Sequence, residues 1–424
     1  MLVANLSTPL LGIVDTALLG HLEHAIYLAA VALGAQVVTL AFWSLGFLRM
    51  ATTGFAARAL GINDNAAMGD LLTRGLGFAA IASIAILALN PVLSPLILTL
   101  MTPETDLYRI ALQYTQIRFW SAPATLTSYV LIGWLVGLQK TRHAMIVILC
   151  TNALNILLDY LLIVEFEMHA QGAAWATLLS EYVGLTIAAW MVARLCGKMN
   201  ILLNWSNIWL APKQHLQYLS ASRHLFLRTL CLLFCFTFFA ARGAQFGDNV
   251  VAANAILLSL LALTALAMDA FAYAAETLGG EAWSQNKNEE FRRIIIYTWG
   301  FAWVIALLCP IILILGQQPI LALYTNIPAV TQEANQHYLW LAWMPLLAIH
   351  SYQLDGIFIG IGKTRAMQNA MLAASLLVFL PACLTLGTVS NSGLWLSFWL
   401  FQGARLAFLA PSAIAVIRKG NPQN

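Results

Sequence analysis

The chain of 424 residues is 61% hydrophobic and only 9% charged, against the roughly 25% charged residues of an ordinary soluble domain. That balance excludes a soluble enzyme and identifies an integral membrane protein. A formal net charge of +3 is too small to argue for a nucleic-acid partner.

Apolar segments of about 20 residues, bounded by charges or turn residues, recur along the chain, which is the pattern of spanning helices; a membrane barrel alternates over roughly 10 residues. The expected spans are 2–22, 27–60, 71–101, 107–138, 144–164, 170–196, 223–246, 250–283, 291–315, 330–361, 366–386 and 393–417, twelve in all. The first carries Pro9, Gly12 and Asp15, is barely long enough, and has no basic region before it, so no cleavable signal is expected. The second carries Gln36, Thr39 and Trp43 on one helical face.

Lys140 and Arg142, Arg194 and Lys198, Lys213, Lys287 with Arg292 and Arg293, Lys363 and Arg365, and Arg418 with Lys419 fall in alternate connections. The positive-inside rule makes those connections cytoplasmic, together with the C-terminus. The stretch 198–222, with Trp205, Trp209, Pro212 and Lys213, reads as a cytoplasmic, interfacial linker between lobes 1–197 and 223–424 of six spans each.

The lobes are related by one offset. Gly133, Gly137, Lys140, Thr141 and Arg142 match Gly356, Gly360, Lys363, Thr364 and Arg365 at a spacing of 223, and the same 223 superimposes Gly20 on Gly243 and Ala29, Ala30 and Ala32 on Ala252, Ala253 and Ala255. Anchors far apart in the chain that share one register argue for duplication. An even number of spans per lobe makes the repeats parallel, the architecture of a secondary transporter. The same shift takes Asp15, Asn155, Asp159 and Thr177 to Phe238, Val378, Ala382 and Leu400, and takes Asp269, Glu276 and Asp355 back to Gly46, Thr53 and Ile132. The acids therefore serve the separate tasks of the lobes and not the shared scaffold.

Asn152, Asn155 and Asp159, at i, i+3 and i+7, form one polar stripe on a spanning helix. A charge at the centre of such a helix costs roughly 2.5 to 3.5 kcal/mol on insertion scales, so it faces a partner or a water-filled cavity. With Asp15 and Thr177 these residues supply carboxylate, amide and hydroxyl oxygens, a set that suits a proton or a hard cation such as sodium; the structural alternative is a polar contact between helices. Asp269, Tyr273 and Glu276, at i, i+4 and i+7, are candidates for a substrate counter-charge or a second protonation site, with a solvated Glu276 as the alternative. Asp355 is a candidate for the same roles, although Gly356 and Gly360 beside it also favour close helix packing. Arg242 is expected either to pair with a carboxylate of its own lobe or, the favoured reading, to snorkel to the outer interface, and Glu181 has no evident partner in the sequence.

Other chemistries are excluded by spacing. Gly362-Lys363-Thr364 resembles the end of a phosphate loop, but the pattern requires glycine at 357, which is Ile357. His143, His169 and His350 have no paired ligand spacing, and the six cysteines sit in or beside apolar runs as small hydrophobes. An intramembrane enzyme would need a convergent nucleophile and base, which the sequence does not offer. No cofactor is expected beyond a coupling ion.

Val14-Asp15-Thr16-Ala17-Leu18-Leu19-Gly20-His21-Leu22, Asn155-Ile156-Leu157-Leu158-Asp159, Gly172-Ala173-Ala174-Trp175-Ala176-Thr177 and Leu354-Asp355-Gly356-Ile357-Phe358-Ile359-Gly360 resemble the multidrug and toxic compound extrusion (MATE) transporters. Asp269-Ala270-Phe271-Ala272-Tyr273-Ala274-Ala275-Glu276 is similar to the DNA-damage-inducible protein F branch of that family. The resemblance covers essentially the whole chain. It implies an all-α membrane protein of twelve transmembrane helices in two six-helix lobes. It also implies export of small organic, often cationic, compounds across a bacterial inner membrane in exchange for protons or sodium, by alternating access and with no obligate protein partner. In the prokaryotic branches the positions matching Asp15, Asn155, Asp159 and Thr177 are the proposed cation-coupling cluster. Family members usually begin a turn or more earlier, with another proline, so the resemblance also implies a misassigned start or a short first helix. The alternative function, flipping lipid-linked or amphipathic molecules, would require buried basic residues for phosphate, and the buried charges are expected to be mostly acidic.

Overall fold

The computed structural model describes residues 18, 25–101, 105–203, 205 and 212–420, and these are helical with no strand among them. Helix is the expected answer to a lipid environment, because within one helix every backbone N–H and C=O is satisfied internally. Contacts divide the chain into two compact units, Met1–Tyr218 and Leu219–Asn424. Asp15 and nearly all of the expected first span lie outside the described residues.

The N-terminal unit contains α1 (Ala25–Ser44), α2 (Phe47–Gly61), α3 (Asn65–Met101), α4 (Thr105–Phe119), α5 (Ala122–Gly137), α6 (Thr141–Asp159) and α7 (His169–Met199). A π-helical segment, Tyr160–Glu165, continues α6. Helix α8 (Pro212–Gly243) begins before the boundary and continues into the C-terminal unit, which also contains α9 (Asp248–Ser284), α10 (Asn288–Leu315), α11 (Gln317–Tyr324), α12 (Pro328–Gly360), α13 (Thr364–Ala373), α14 (Leu380–Thr385) and α15 (Asn391–Lys419), with a π-helical segment, Ala374–Phe379, between α13 and α14. Helix α8 begins at Pro212, inside the stretch expected as linker, and runs on without a break into the seventh span.

Each expected span from the second onward coincides with a helix, a bent pair or a helix extended by a π segment. Among the described residues nine helices are long and apolar enough to cross a membrane, ten with the α4–α5 pair, which bends by 47° at Trp120 and Ser121. Helix α12, at 33 residues, coincides with the tenth expected span and is more polar, with His337, Gln353 and Asp355 along it.

The duplication is visible in backbone detail. The turns after α2 and α9 each place an asparagine in the left-handed region, Asn63 at φ 53 and Asn286 at φ 58, and the two are 223 residues apart. The turns after α5 and α12 do the same with Gln139 at φ 59 and Gly362 at φ 77. Gly362 is thus the left-handed residue of a helix-to-helix turn, which accounts for Gly362-Lys363-Thr364 without a phosphate. A Cβ added to Gly133 or Gly137 of α5 would come within 2.6 Å of the carbonyl oxygen of Arg49 or Thr53 on α2. Gly356 and Gly360 of α12 press on the carbonyls of Ala272 and Glu276 on α9 in the same way. All four pairs keep one register, so small residues let the same helix pair approach closely in both units.

Basic residues gather at one end of the C-terminal unit. Arg292, in the first turn of α10, donates from Nε to the carbonyl of Ile417 and from Nη2 to that of Arg418, both at 2.9 Å, so a cation satisfies carbonyls left open at the end of α15. Lys363 lies over the Trp283 ring at 5.3 Å.

Candidate functional sites within the two units

In the N-terminal unit the stripe on α6 is buried where it meets α7. Asn155 is 1% exposed and Asp159 is fully buried, whereas Asn152 is half-buried. Asp159 is the last α-helical residue before the π-helical segment, and such widened turns recur at functional sites. Gly172 on α7 permits the meeting: a Cβ there would lie 2.8 Å from the carbonyl of Leu162 within that segment. One and a half turns further along α7, Thr177 reaches Asn155.

The hydrogen bonds fix the orientation of that pair. Thr177 donates its only hydroxyl proton to the carbonyl of Ala173 at 3.0 Å, so the atom of Asn155 that faces it must be the amide nitrogen, which donates to Thr177 Oγ1 at 3.4 Å. The carbonyl oxygen of Asn155 is consequently turned away, buried, and without a hydrogen-bond donor among the described residues. Leu18, three residues after Asp15 in sequence, packs on the cluster of Ile163, Ala170, Ala173 and Ala174 beside this site.

The C-terminal unit places Asp269, Tyr273 and Glu276 along α9, with Glu276 2% exposed and the other two half-buried. Asp355 makes its ion pairs elsewhere. Arg228 of α8 donates to its Oδ2, and Arg405 of α15 donates to the same oxygen at 3.0 Å. Arg405 also donates to Gln402 at 2.7 Å and lies over the Tyr352 ring. Asp355 is therefore a junction between three helices, already facing two guanidinium groups. Gln353 beside it is fully buried, and its amide has no hydrogen-bond partner among the described residues.

Two further findings revise the sequence reading. Glu181 does have partners: Arg118 donates to Oε1 at 3.3 Å and Thr125 donates to Oε2 at 2.6 Å, so the acid ties α7 to α4 and α5. The buried charges are not mostly acidic. Arg118, Arg228 and Arg405 are 8%, 7% and 5% exposed, alongside Asp159, Glu276 and Asp355. Charge balance alone is therefore no argument against moving an acidic headgroup. The missed signal was available, since an arginine in an apolar span demands a partner as an acid does. Arg242 reaches Gln245 at 3.1 Å and lies over the Phe238 ring.

Two helical units related by a parallel repeat, each with ionisable groups buried in spanning helices, define a multi-pass membrane transporter. The chain matches the MatE family model over residues 1–161 and 225–384. It is 35% identical over 411 residues to the DNA damage-inducible protein F of Escherichia coli strain K12, covering 97% of this chain and 89% of the relative. It is 25% identical over 337 residues to the probable multidrug resistance protein NorM of Thermotoga maritima, covering 77% and 71%. The solved outward-facing structure of a multidrug resistance MATE family transporter superimposes with a TM-score of 0.86 over 99% of this chain and 94% of that one, at 19% identity. The chain belongs to the MATE family of transporters, and its fold is the MATE fold.

Proposed function

We propose that this protein exports small organic compounds, many of them cationic, by proton-coupled alternating access in a bacterial inner membrane, with its C-terminus in the cytoplasm. The observation that carries the reading is the buried junction of Asn155, Asp159 and Thr177 in the N-terminal unit. A carboxylate so deeply buried in a spanning helix is tolerated when a proton or cation neutralises it. Proton uptake at Asp159, shared with Asp15 and adjusted by Asn152, would change the relative stability of two conformations, and only such differential binding drives a cycle. Thr177 Oγ1 accepts from the Asn155 amide and donates to Ala173, which holds the pair in one orientation. In the C-terminal unit, the carboxylates of Asp269 and Glu276 are the proposed counter-charges for a cationic substrate, with Tyr273 between them on α9. Asp355, which faces two arginines, is assigned to holding α8, α12 and α15 together.

The test is export of a fluorescent cationic dye from proteoliposomes under a proton gradient or a sodium gradient, imposed separately. Asp159→Asn should abolish gradient-driven export. Thr177→Ser should retain it, and Thr177→Val should lower it about tenfold, corresponding to one hydrogen bond of roughly 1.4 kcal/mol. Undiminished export by Asp159→Asn would refute the coupling site, and export driven by sodium alone would refute the proton.

A further inference from the structure

The C-terminal unit buries a second polar cluster, at the ends of its helices opposite Lys363 and Arg418. His337 of α12 is 3% exposed. Its Nδ1 lies 3.3 Å from Glu333 Oε1 and 3.1 Å from the Glu333 carbonyl, and its Nε2 lies 3.0 Å from Ser392 Oγ on α15. Asn391 donates to Glu333 Oε1 at 3.1 Å. Asn391 and Asn254 of α9 exchange amide hydrogen bonds at 2.8 and 3.2 Å, and Trp395 donates to Asn254 Oδ1 at 2.9 Å. Three helices are thereby joined around one imidazole and one carboxylate.

The geometry accommodates His337 in both protonation states. Both groups that Glu333 offers to Nδ1 are acceptors, and Asn391 Nδ2, 3.4 Å from Nδ1, sends its two protons to Asn254 and Glu333, so Nδ1 carries a proton in either state. Ser392 has a rotatable hydroxyl that donates to Nε2 of the neutral ring and accepts from Nε2 of the imidazolium. A proton can therefore be added without moving a heavy atom. Ser392 is exposed and the Glu333 side chain is 21% exposed, so both reach the unit's surface. The elements packed here contribute Tyr338 on α12, Tyr324 at the end of α11, and Arg242 on α8, which is turned to Gln245 and Phe238. Helix α9 brings Asn254, and α15 brings Asn391, Ser392 and Trp395, all uncharged.

The internal repeat provides the control. Shifted back by 223, Asn254, Glu333, His337 and Asn391 become Val31, Ile110, Tyr114 and Met168. In the N-terminal unit Val31 and Tyr114 are buried in one apolar cluster, with Ile110 packed against it. None of the four counterparts is an amide, a histidine or an acid, and Tyr114, which stands in place of His337, hydrogen-bonds to Arg118 instead, so the His337–Glu333–Asn391–Asn254 network is specific to the C-terminal unit.

We propose that His337 and Glu333 form a second proton-binding site, in the C-terminal unit, loaded from the side of the membrane that Ser392 faces. The proposal rests on the proton-coupled reading above and extends it to the other lobe. Loaded in this way, the site would respond to the pH of that compartment.

The experiment is ¹⁵N NMR of histidine-labelled protein in lipid nanodiscs, with the His337 signal assigned by its loss in His337→Gln. The expected result is conversion of that signal from a neutral to a doubly protonated ring as the pH is lowered over the range in which the protein stays folded, in wild type and equally in Asp159→Asn. Ser392→Ala should move the midpoint by about half a pH unit or more. A ring that stays in one form across that range, or a midpoint indifferent to Ser392→Ala, would overturn the proposal. In proteoliposomes, dye export by His337→Gln should follow a pH profile displaced from that of wild type; an identical profile would also overturn it. Failure of the N-terminal coupling site is read separately, as undiminished export by Asp159→Asn.

Discussion

Gly360 packs against the carbonyl of Glu276 as Gly137 packs against that of Thr53, 223 residues earlier. Helix pairs in lipid have no hydrophobic drive toward one another and depend on close backbone approach. The neighbour in each case is backbone, which a rotamer change cannot move aside. Gly360→Val should therefore destabilise the protein by about 1 to 3 kcal/mol, the usual range for overpacking. Gly300→Ala, where an added Cβ meets nothing within 4 Å, should leave it unchanged or slightly stabilised. Thermal unfolding of the purified protein in detergent distinguishes the two, and equal loss in both variants would remove the packing argument.

Asp355 differs from a free counter-charge because two arginines converge on one of its oxygens. Removing the acid leaves two buried guanidinium groups without their carboxylate, and breaking a buried pair from one side typically costs about 3 to 5 kcal/mol. Asp355→Asn should therefore lower stability far more than Lys287→Gln, which breaks the exposed pair with Glu290 and should cost no more than about 1 kcal/mol. The unfolding midpoints of the two variants decide it. If Asp355→Asn unfolds with wild type and loses only transport, the residue belongs to the substrate site.

Much of this architecture could be read from the chain because lipid enforces helix, and apolar length then marks each span. The 223-residue offset could be read because glycines at a close approach and residues in left-handed turns are constrained positions. Asn152, Asn155 and Asp159 stood out as polar groups at helical spacing, with Thr177 on the next span, and α6 and α7 bring Asn155 and Thr177 into contact. What the sequence hid was pairing between distant helices. Arg228, Asp355 and Arg405 are separated by well over a hundred residues in part, and no periodicity within one helix links them. The His337 network was hidden for the same reason, since its members come from α9, α12 and α15. The bend at Trp120 was also invisible, because Pro123 can open a helix as readily as kink one.

The proposed orientation of the chain rests on where its cations meet. Arg292 donates to the carbonyls of Ile417 and Arg418, and Lys363 lies over Trp283, so the turn between α9 and α10, the turn after α12 and the end of α15 share one end of the C-terminal unit. Lys and Arg concentrated at one end are retained on the cytoplasmic side. In a cysteine-free background, a membrane-impermeant maleimide added to intact cells should label Asn326→Cys, in the exposed turn between α11 and α12. It should label Lys287→Cys only after permeabilisation. The reverse pattern would invert the topology and place the face bearing Ser392 in the cytoplasm, so that the His337 site would sense internal pH. Labelling of both positions in intact cells would mean that neither turn is shielded by the membrane, which the charge distribution forbids.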